Sequence, residues 1–274
     1  MTHARYEHIT SSSNPTIKLL RGLDRKKIRL DSGLFISEGE RHLREALKFG
    51  WSPKIVLVSS DKLATGEIDH TLEIAEKLGA RILTTTPKLL SSVSRKDNAQ
   101  TVIAAFEQKH STLEQLESTG TARFIALFEV RDPGNLGTIL RTADAAGVAG
   151  VILVDNCCDP FSVECVRATM GALFSVKVVE CHFNDLCEWR TRTGAQMIAA
   201  SINGDCRHDM AKYTDRTILL MGNEQSGIPS ENEKECDTLV RIPMAGAADS
   251  LNLAQATAIM TYQIWKEAGY DGAH

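Results

Sequence analysis

Short, continuously apolar segments separated by helical patterns constrain the fold of this chain more than any other feature. Beyond residue 122 these segments are RFIALFEV, GVILVD, VKVVE, QMIAAS, TILLMG and TLVRIPM, and each has the length of a buried strand. Strands that lack polar alternation and are followed by helices indicate a parallel sheet covered on both faces. We therefore predict an α/β fold whose ligands bind at the carboxyl ends of the strands.

The first 106 residues show the same alternation on a smaller scale and are expected to form a small α/β domain. NPTIKLLRGLDRKKIRLDSG predicts one helix from near Pro15 to near Gly33, whereas LFISEG, KIVLVSS, RILTTT and AQTVIAAFEQ predict strands. The polar segment 107–122 is the predicted linker, and residues 123–274 form the second domain. In that domain SVECVRATMGALF predicts a helix, and SLNLAQATAIMTYQIWKEAG predicts a long final helix with Ser250 as its N-cap.

The composition is that of a soluble globular protein, with 43% apolar and 24% charged residues among 274. No apolar run approaches the roughly eighteen residues that span a bilayer. The segment MTHARYEHITSSSNP also lacks the apolar part of a secretory signal, so a cytoplasmic location without membrane contact is expected. The seven cysteines show no framework spacing, and neither C-x-x-C nor H-E-x-x-H occurs. They are interpreted as ordinary thiols, and no metal is expected.

The charges are distributed unevenly along the chain, although the net charge is only −4. Residues 1–106 contain 17 Lys and Arg against 12 Asp and Glu, whereas the remainder contains 14 against 23. Within the first part, KLLRGLDRKKIR holds six basic residues and a single acidic one, Asp24. A stripe of this kind can contact phosphates, but it can equally be the solvated face of a helix. Charge alone is compatible with an RNA partner and does not require one.

The strand exits carry none of the common nucleotide-binding or hydrolase motifs. G-x-G-x-x-G, G-x-x-x-x-G-K-[ST] and G-x-S-x-G are absent there, which disfavours dinucleotide-binding, P-loop and serine-hydrolase enzymes. Three exits, FEVRDPGNLG, MGNEQSG and IPMAGAADSLN, are instead rich in Gly, Asn, Glu and Ser. Taken singly, their polar residues have plain structural interpretations. Asn135, Ser250 and Asn252 could cap helices, Arg141 could form a surface ion pair or clamp a phosphate, and Glu224 could be a solvated carboxylate.

Taken together, these exits resemble the three signature motifs of the SpoU (TrmH-like) RNA 2′-O-methyltransferases. The motifs are DPGNLGTILRTADAAG, LLMGNEQSGIP and IPMAGAADSLNLAQATAI, in the family's order and spacing, and VRATMGALFSVKV between them is also similar. The likeness covers residues 124 to about 267. The first domain resembles the family's RNA-substrate-binding module, which is similar to ribosomal proteins, through TSSSNPTIKLLRGLDRKKIR, FISEGERHLREAL and AQTVIAAF. One departure is LAQA after SLN, which puts Gln255 near the cofactor and bears on specificity.

The resemblance implies a deep trefoil knot at the carboxyl end of the second domain and S-adenosylmethionine as the cofactor. The cofactor contacts that it implies are Leu220, Gly222, Ile242, Met244 and Leu251. Gly222 and Gly227 would let the backbone turn sharply and pass close to the cofactor. The family is also homodimeric, with the active site near the subunit interface. Support for a dimer contact comes from the apolar face of the last helix, including Ile259, Ile264 and Trp265.

The implied reaction is methyl transfer from a sulfonium to a ribose 2′-hydroxyl of RNA. The family's proposed activator is the arginine of the first motif, here Arg141. Because a guanidinium effectively never deprotonates, we interpret Arg141 as a clamp on the target phosphate that stabilises negative charge developing on the 2′-oxygen. Asn135, Glu224, Ser250 and Asn252 would orient Arg141 and the ribose.

The implied partner is RNA, and ribosomal RNA is favoured over transfer RNA because an additional substrate-binding domain precedes the catalytic one. The predicted RNA contacts are Lys18, Arg25, Lys26, Lys27, Arg29 and Arg41. A transfer-RNA methyltransferase is one alternative. Another is a catalytically silent RNA-binding or ribosome-assembly protein of the same fold, which would not need all five polar motif residues. A small-molecule enzyme on an open sheet is disfavoured by the basic first domain.

Overall fold

The computed structural model describes residues 6–95, 100–117 and 120–274, which divide into two compact units. The first unit contains the chain up to Lys109 together with Asp159–Ser175. The second unit contains His110–Cys158 and Val176–His274. Within the described ranges, no helix is long and apolar enough to cross a membrane.

The secondary structure follows the alternation expected from the sequence. The strands are β1 (Glu7–Ile9), β2 (Leu34–Glu38), β3 (Pro53–Ser59), β4 (Arg81–Thr85), β5 (Val102–Glu107), β6 (Ala122–Phe128), β7 (Gly150–Val154), β8 (Val178–Cys181), β9 (Gln196–Ala200), β10 (Cys206–Arg207), β11 (Arg216–Met221) and β12 (Thr238–Arg241). The helices are α1 (Pro15–Gly22), α2 (Lys26–Ser32), α3 (Glu40–Lys48), α4 (Ser60–Ala64), α5 (Asp69–Lys77), α6 (Pro87–Ser94), α7 (Pro133–Ala145), α8 (Val163–Ala168), α9 (Phe183–Thr193), α10 (Ser230–Glu233) and α11 (Leu253–Glu267). Single 3₁₀ turns cover Glu114–Leu116 and Ala172–Phe174.

A mixed five-stranded sheet in the order β1-β4-β3-β5-β2 forms the centre of the first unit. Strands β1, β4 and β3 are parallel, whereas β5 is antiparallel to both β3 and β2. The core beside it is built from α1 and α6 residues and from apolar strand residues, among them Leu20, Leu57, Leu83 and Ile103. The small α/β domain predicted from the alternation of elements is therefore present.

The helix predicted from Pro15 to Gly33 is two helices, because the chain is extended at Arg25. The backbone of Arg25 has φ −91° and ψ 129°, which ends the regular helical path. The carbonyl groups freed at the break, those of Leu23 and Asp24, accept hydrogen bonds from Arg29 Nη1 at 2.8 and 2.9 Å. A buried arginine thus satisfies the backbone groups that the break leaves unpaired.

The segment Asp159–Ser175 completes the core of the first unit although it lies between β7 and β8 in the sequence. Phe174 packs against Trp51 and Phe106 with ring centroids 5.4 and 5.1 Å apart, and its carbonyl oxygen accepts from Trp51 Nε1 at 3.0 Å. Arg167 makes a two-point ion pair with the buried Glu38. The helix predicted for SVECVRATMGALF is interrupted after α8, because Met170 and Gly171 have φ values of +53° and +101°.

A seven-stranded sheet in the order β10-β12-β9-β11-β6-β7-β8 forms the second unit. All its paired strands are parallel, which confirms the parallel sheet expected from the continuously apolar segments. Trp189 of α9 packs edge-on against Phe124 of β6 at 5.0 Å. Leu113 and Leu116, which lie in the segment predicted as a linker, are buried in this same core.

The last helix begins at Leu253, and its N-cap is Asn252 rather than Ser250. Asn252 Oδ1 accepts from Ala254 N at 2.9 Å and from Gln255 N at 3.4 Å. Ser250 lies two residues earlier, in an exposed stretch without regular structure. Asn is as good an N-cap as Ser, so the sequence could not decide between them.

Candidate functional site

The ends of the central strands β6 and β11 bring two motif loops together. These strands are paired in parallel, with Leu127 opposite Met221. Residues 129–132 therefore leave the sheet beside residues 222–229. Helix α11 packs against α7, β11 and β6. Residues 242–252, which lead into α11, are part of the same unit.

Glu224 connects the 222–229 loop to the 129–132 loop and to α7. Its Oε2 accepts from Arg131 N at 3.3 Å, and its Oε1 accepts from Asp132 N at 3.3 Å. The same Oε1 also accepts from Asn135 Nδ2 at 3.2 Å. Both carboxylate oxygens are thus occupied by N–H donors of the protein.

Asn135 and Asn252 extend this connection to the last helix. Asn252 Nδ2 donates to Asn135 Oδ1 at 2.9 Å, while Asn252 Oδ1 caps α11. Asn135 therefore uses its carbonyl oxygen for Asn252 and its amide nitrogen for Glu224. Three of the five predicted catalytic residues form one continuous network that ties together the three motifs.

Arg141 and Ser250 do not belong to this network. Arg141 lies on the exposed face of α7, and Ser250 is exposed in the 242–252 loop. Within residues 6–95, 100–117 and 120–274, neither side chain has a hydrogen bond or ion pair. These two groups are the members of the predicted set that remain available to a substrate.

Asp132 is a residue of this site that the sequence did not single out. It is the N-cap of α7, and its Oδ1 accepts from Asn135 N at 2.7 Å. The residue type of Asn135 had suggested that it caps α7, but the cap is Asp132. An Asp directly before a Pro in the first helical turn is the signal that could have identified the cap.

Gly222 permits a close approach between two parts of its own loop. A Cβ atom at this position would lie 2.3 Å from the carbonyl carbon of Gly227 and 2.6 Å from Ile228 N. Gly227 itself has φ +68°, a conformation that favours glycine. The space beside Gly222 is thus filled by the backbone of its own loop. The sequence had suggested another reason for a glycine here, namely clearance for the cofactor.

The other predicted cofactor residues differ in exposure. The Leu220 side chain is completely buried in the core, and at this residue β11 is paired with both β6 and β9. Ile242 and Leu251 are half-buried, and Met244 is 41% exposed. These three lie in the 242–252 loop. Among the described residues, backbone groups of 242–251 form no hydrogen bonds with other backbone groups.

Five of the six basic residues predicted to contact RNA are exposed, namely Lys18, Arg25, Lys26, Lys27 and Arg41. Arg29 is a correction to that set. Its side chain is only 3% exposed, and its Nη2 forms an ion pair with Asp159 at 2.6 Å. With its remaining hydrogen bonds to Leu23 and Asp24, this arginine is committed to the interior of the first unit.

The cysteines nearest the site are unreactive thiols. Burial raises the pKa of Cys157 to about 11 and that of Cys158 to about 12, and the neighbouring Cys157 and Glu224 add to the increase at Cys158. Thiols with such values are protonated at neutral pH and are poor nucleophiles and metal ligands. Within the part of the chain that the structure describes, no group of three or more His, Cys, Asp or Glu side chains is arranged to hold a metal.

A groove of about 660 Å³ lies elsewhere on the second unit, at the end of β8. Its walls include Asp155, His182, Glu188 and Arg192, and none of the predicted site residues lines it. The polar network of the three motifs is therefore the better candidate for the functional site.

Comparison with sequence families agrees with this choice. The profile of the SpoU rRNA Methylase family matches residues 122–262, and that of the MRM3-like substrate binding domain matches residues 14–104. The 23S rRNA (guanosine(2553)-2′-O)-methyltransferase RlmP of Bacillus subtilis is 28% identical over 259 residues, which cover 94% of this chain and 99% of that protein. The 23S rRNA (uridine(2479)-2′-O)-methyltransferase of Streptomyces viridochromogenes is also 28% identical, over 88% of this chain and 85% of that protein.

Solved structures give the same result for the fold. The AdoMet-bound rRNA methyltransferase from Sinorhizobium meliloti is 38% identical, with a TM-score of 0.89 over 95% of this chain and 98% of that one. The SpoU methyltransferase AviRb from Streptomyces viridochromogenes is 26% identical, with a TM-score of 0.82 over 95% and 100%. These matches confirm the resemblance seen in the three motifs, and the chain belongs to the SpoU rRNA Methylase family.

Proposed function

We infer that the protein is an S-adenosylmethionine-dependent RNA 2′-O-methyltransferase that acts on ribosomal RNA. The observation that carries this inference is the network of Glu224, Asn135 and Asn252, which joins the three family motifs and leaves Arg141 and Ser250 free for substrate. The relatives named for 23S rRNA methylation match nearly the whole chain, including the first domain. This coverage favours ribosomal RNA over transfer RNA.

The 242–252 loop suits the adenosine part of the cofactor. It offers the exposed side chain of Met244, the half-buried Ile242 and Leu251, and backbone N–H and C=O groups of residues 242–251 that pair with no other described backbone. A purine needs apolar contact together with hydrogen-bonding partners at its edge. When bound, S-adenosylmethionine supplies a methyl group that its sulfonium makes electrophilic. We place Gly222, directly after the end of β11, beside the cofactor, with Leu220 as an apolar residue of the strand beneath it.

Arg141 and Ser250 act on the RNA in this proposal. Arg141 holds the phosphate next to the target ribose and stabilises the negative charge that develops on the 2′-oxygen, which takes the methyl group while its hydroxyl proton passes to solvent. The Ser250 hydroxyl orients the ribose through a hydrogen bond. Glu224, Asn135 and Asn252 are positioning residues, because their polar atoms are occupied by one another and by the backbone. A 2′-hydroxyl is required, so DNA is not a substrate.

We assign RNA binding and methyl transfer to the two predicted domains separately. Residues 1–106 would bind RNA through Lys18, Arg25, Lys26, Lys27 and Arg41, and residues 123–274 would hold the cofactor and the reacting ribose. We also propose a trefoil knot in the second domain. The proposed place of action is the cytoplasm, because ribosomes are assembled inside the cell.

A homodimer is also proposed, with contact through α11. Ile259 and Tyr262 support it, since each is about two-fifths exposed on that helix. Ile264, which belongs to the surface expected from the sequence, is 5% exposed and packs inside its own protomer. It is therefore removed from the proposed interface.

The test measures cofactor binding and methyl transfer with the same preparation. We expect the wild-type protein to bind S-adenosylmethionine by calorimetry and to transfer tritiated methyl to ribosomal RNA, but not to DNA. Arg141→Ala should lower transfer by about 10²- to 10³-fold with little change in stability, because the side chain is exposed and unpaired. Lys77→Ala, another exposed cation, serves as the control. Cofactor binding without transfer to any RNA would instead support the silent RNA-binding protein.

A further inference from the structure

A strained residue stands at the exit of β6, directly before the loop that Glu224 holds. Glu129 has φ +49°, in the left-handed region that residues other than glycine rarely adopt. Such a conformation is unfavourable for a residue with a side chain and persists only where neighbouring contacts impose it. Its N–H donates to Val154 O at 3.1 Å, and its carbonyl oxygen accepts from Asn223 Nδ2 at 2.7 Å.

Asn223 also organises its own loop. Its Oδ1 accepts from Gln225 N at 2.9 Å and from Ser226 N at 3.1 Å, which is the pattern of an Asx turn. Its backbone N–H and C=O pair with Gly227 at 3.0 Å in both directions. The loop is therefore closed by the same residue that donates to Glu129.

Asn223 and Glu224 hold successive parts of one segment. Asn223 fixes the carbonyl of Glu129, while Glu224 accepts from the N–H groups of Arg131 and Asp132. The left-handed turn at Glu129 determines the direction in which those N–H groups point. The segment then leads directly into α7, which carries both Asn135 and Arg141.

We propose that Asn223 is a positioning residue of the methyl-transfer site, acting through its amide donor to Glu129. This inference rests on the proposed function, and the sequence motifs alone assign Asn223 no role. Loss of the donor would allow Glu129 to relax to negative φ. The N–H groups of Arg131 and Asp132 would then leave Glu224, and Arg141 would be displaced from its productive position. Small misplacements of this kind can lower turnover by about 10²-fold.

Two variants separate the donor from the other properties of the residue. Asn223→Ser keeps an oxygen that can accept from the loop N–H groups, is neutral, and cannot donate across to Glu129. Asn223→Asp keeps the acceptor oxygen and the shape, lacks the donor, and adds a negative charge. Asn203→Ser is a matched control, because Asn203 is exposed and its side chain has no hydrogen bond within the described residues.

The first measurement is methyl transfer at saturating cofactor. We expect kcat to fall by about 10- to 100-fold in both Asn223 variants, following the cost of misplacement, with an unchanged KM for ribosomal RNA and a melting temperature like that of Asn203→Ser. A fall in Asn223→Asp alone would overturn the proposal, because the added charge would then be the cause. Unchanged kcat in both variants would also overturn it.

The second measurement does not depend on activity. Hydrogen exchange of the backbone in residues 129–135 should be faster in both Asn223 variants than in the wild type, with exchange in α9 unchanged as an internal reference. Equal exchange in the wild type and both variants would contradict the proposal. If the wild type transfers no methyl group, the proposed function fails, and the exchange rates still decide the role of Asn223.

Discussion

Gly222 lies so close to the backbone of its own loop that a side chain there would have to displace it. We expect Gly222→Ala to lower stability and cofactor affinity together, because the new Cβ would collide with the backbone of Gly227 and Ile228. Overpacking of this kind costs about 1–3 kcal/mol. Lys77→Ala, a substitution at an exposed position of the first unit, is the control for both measurements. A Gly222→Ala protein of normal stability that fails only in binding would instead indicate cofactor clearance.

His42 gives the first unit a pH-dependent stability. Burial lowers its pKa, with a further decrease from Arg41 and a smaller opposing effect from Glu38. The folded state therefore binds the proton less well than the unfolded chain, whose histidine pKa is about 6.5. The neutral, buried His42 therefore makes its full contribution to folding stability above about pH 6.5. That contribution is lost as the pH falls below about 6.5, because the unfolded chain then binds the proton better than the folded protein does.

The measurement for His42 is the melting temperature from pH 7.5 to pH 5. We expect His42→Gln, which can keep a hydrogen bond to Ser37, to reduce the fall in melting temperature on acidification. His70→Gln changes an exposed histidine and should leave the slope unchanged. Equal slopes for the wild type and His42→Gln would contradict the assignment.

Asn252 shows which features of single residues the sequence can predict and which it cannot. The motifs predict that Asn135, Glu224 and Asn252 meet, since parallel strands end at one edge of a sheet, and hydrogen bonds between them support that expectation. Which atom donates to which depends on side-chain rotamers and loop conformations that no periodic pattern encodes. For the same reason, the role of Asn223 could not be foreseen, whereas the Asp132–Pro133 pair could have indicated the cap of α7.

At the scale of elements, the strands were the most predictable feature and the helix boundaries the least. Continuous apolar segments such as TILLMG have the length of a buried strand and are short for a helix, and β11 indeed lies at the centre of the sheet. The break between α1 and α2 depends on Arg29 reaching Leu23 and Asp24, and the interruption after α8 depends on Met170 adopting a positive φ. Both follow from tertiary contacts, so local patterns could not reveal them.

Phe174 tests how much the Asp159–Ser175 segment contributes to the first unit. Removal of a buried phenylalanine ring costs about 3–5 kcal/mol, and Phe174 packs against Trp51, Phe106 and Phe35. We expect Phe174→Ala to lower the free energy of unfolding by this amount, measured by denaturant titration with tryptophan fluorescence. Phe49→Ala, an exposed phenylalanine of the same unit, should cost less than about 0.5 kcal/mol. Similar losses in the two variants would contradict a core role for the segment.

At the scale of the whole molecule, the first 106 residues and the rest of the sequence have net charges of opposite sign. The first 106 residues have a surplus of five positive charges and the remainder a surplus of nine negative charges. A net charge of −4 therefore conceals a basic part that suits a polyanion. Exposure of Lys26 and Lys27 on α2 is consistent with that use, whereas Arg29, which was predicted for the same surface, is buried.

We expect the double variant Lys26→Ala/Lys27→Ala to bind ribosomal RNA more weakly and with a smaller dependence on salt. The slope of log K against log salt should fall by about 0.7–0.9 for each phosphate that the variant no longer neutralises. Filter binding between about 50 and 200 mM salt measures this slope, and Lys48→Ala/Lys77→Ala provides a control with the same change in net charge. Cofactor affinity should be unaffected. An unchanged slope would remove α2 from the RNA-binding surface.

The placement of Asp159–Ser175 in the first unit also has a consequence for synthesis. Translation proceeds from the amino terminus, so residues up to Lys109 leave the ribosome well before the segment that supplies Phe161, Val163 and Phe174 to their core. At about 5–20 residues per second, this interval lasts several seconds. During that time Phe35, Trp51 and Phe106 lack their later partners. The first unit thus cannot complete its core until residues 110–158 of the second unit have been synthesised, and these apolar side chains stay exposed until Ser175 has been translated.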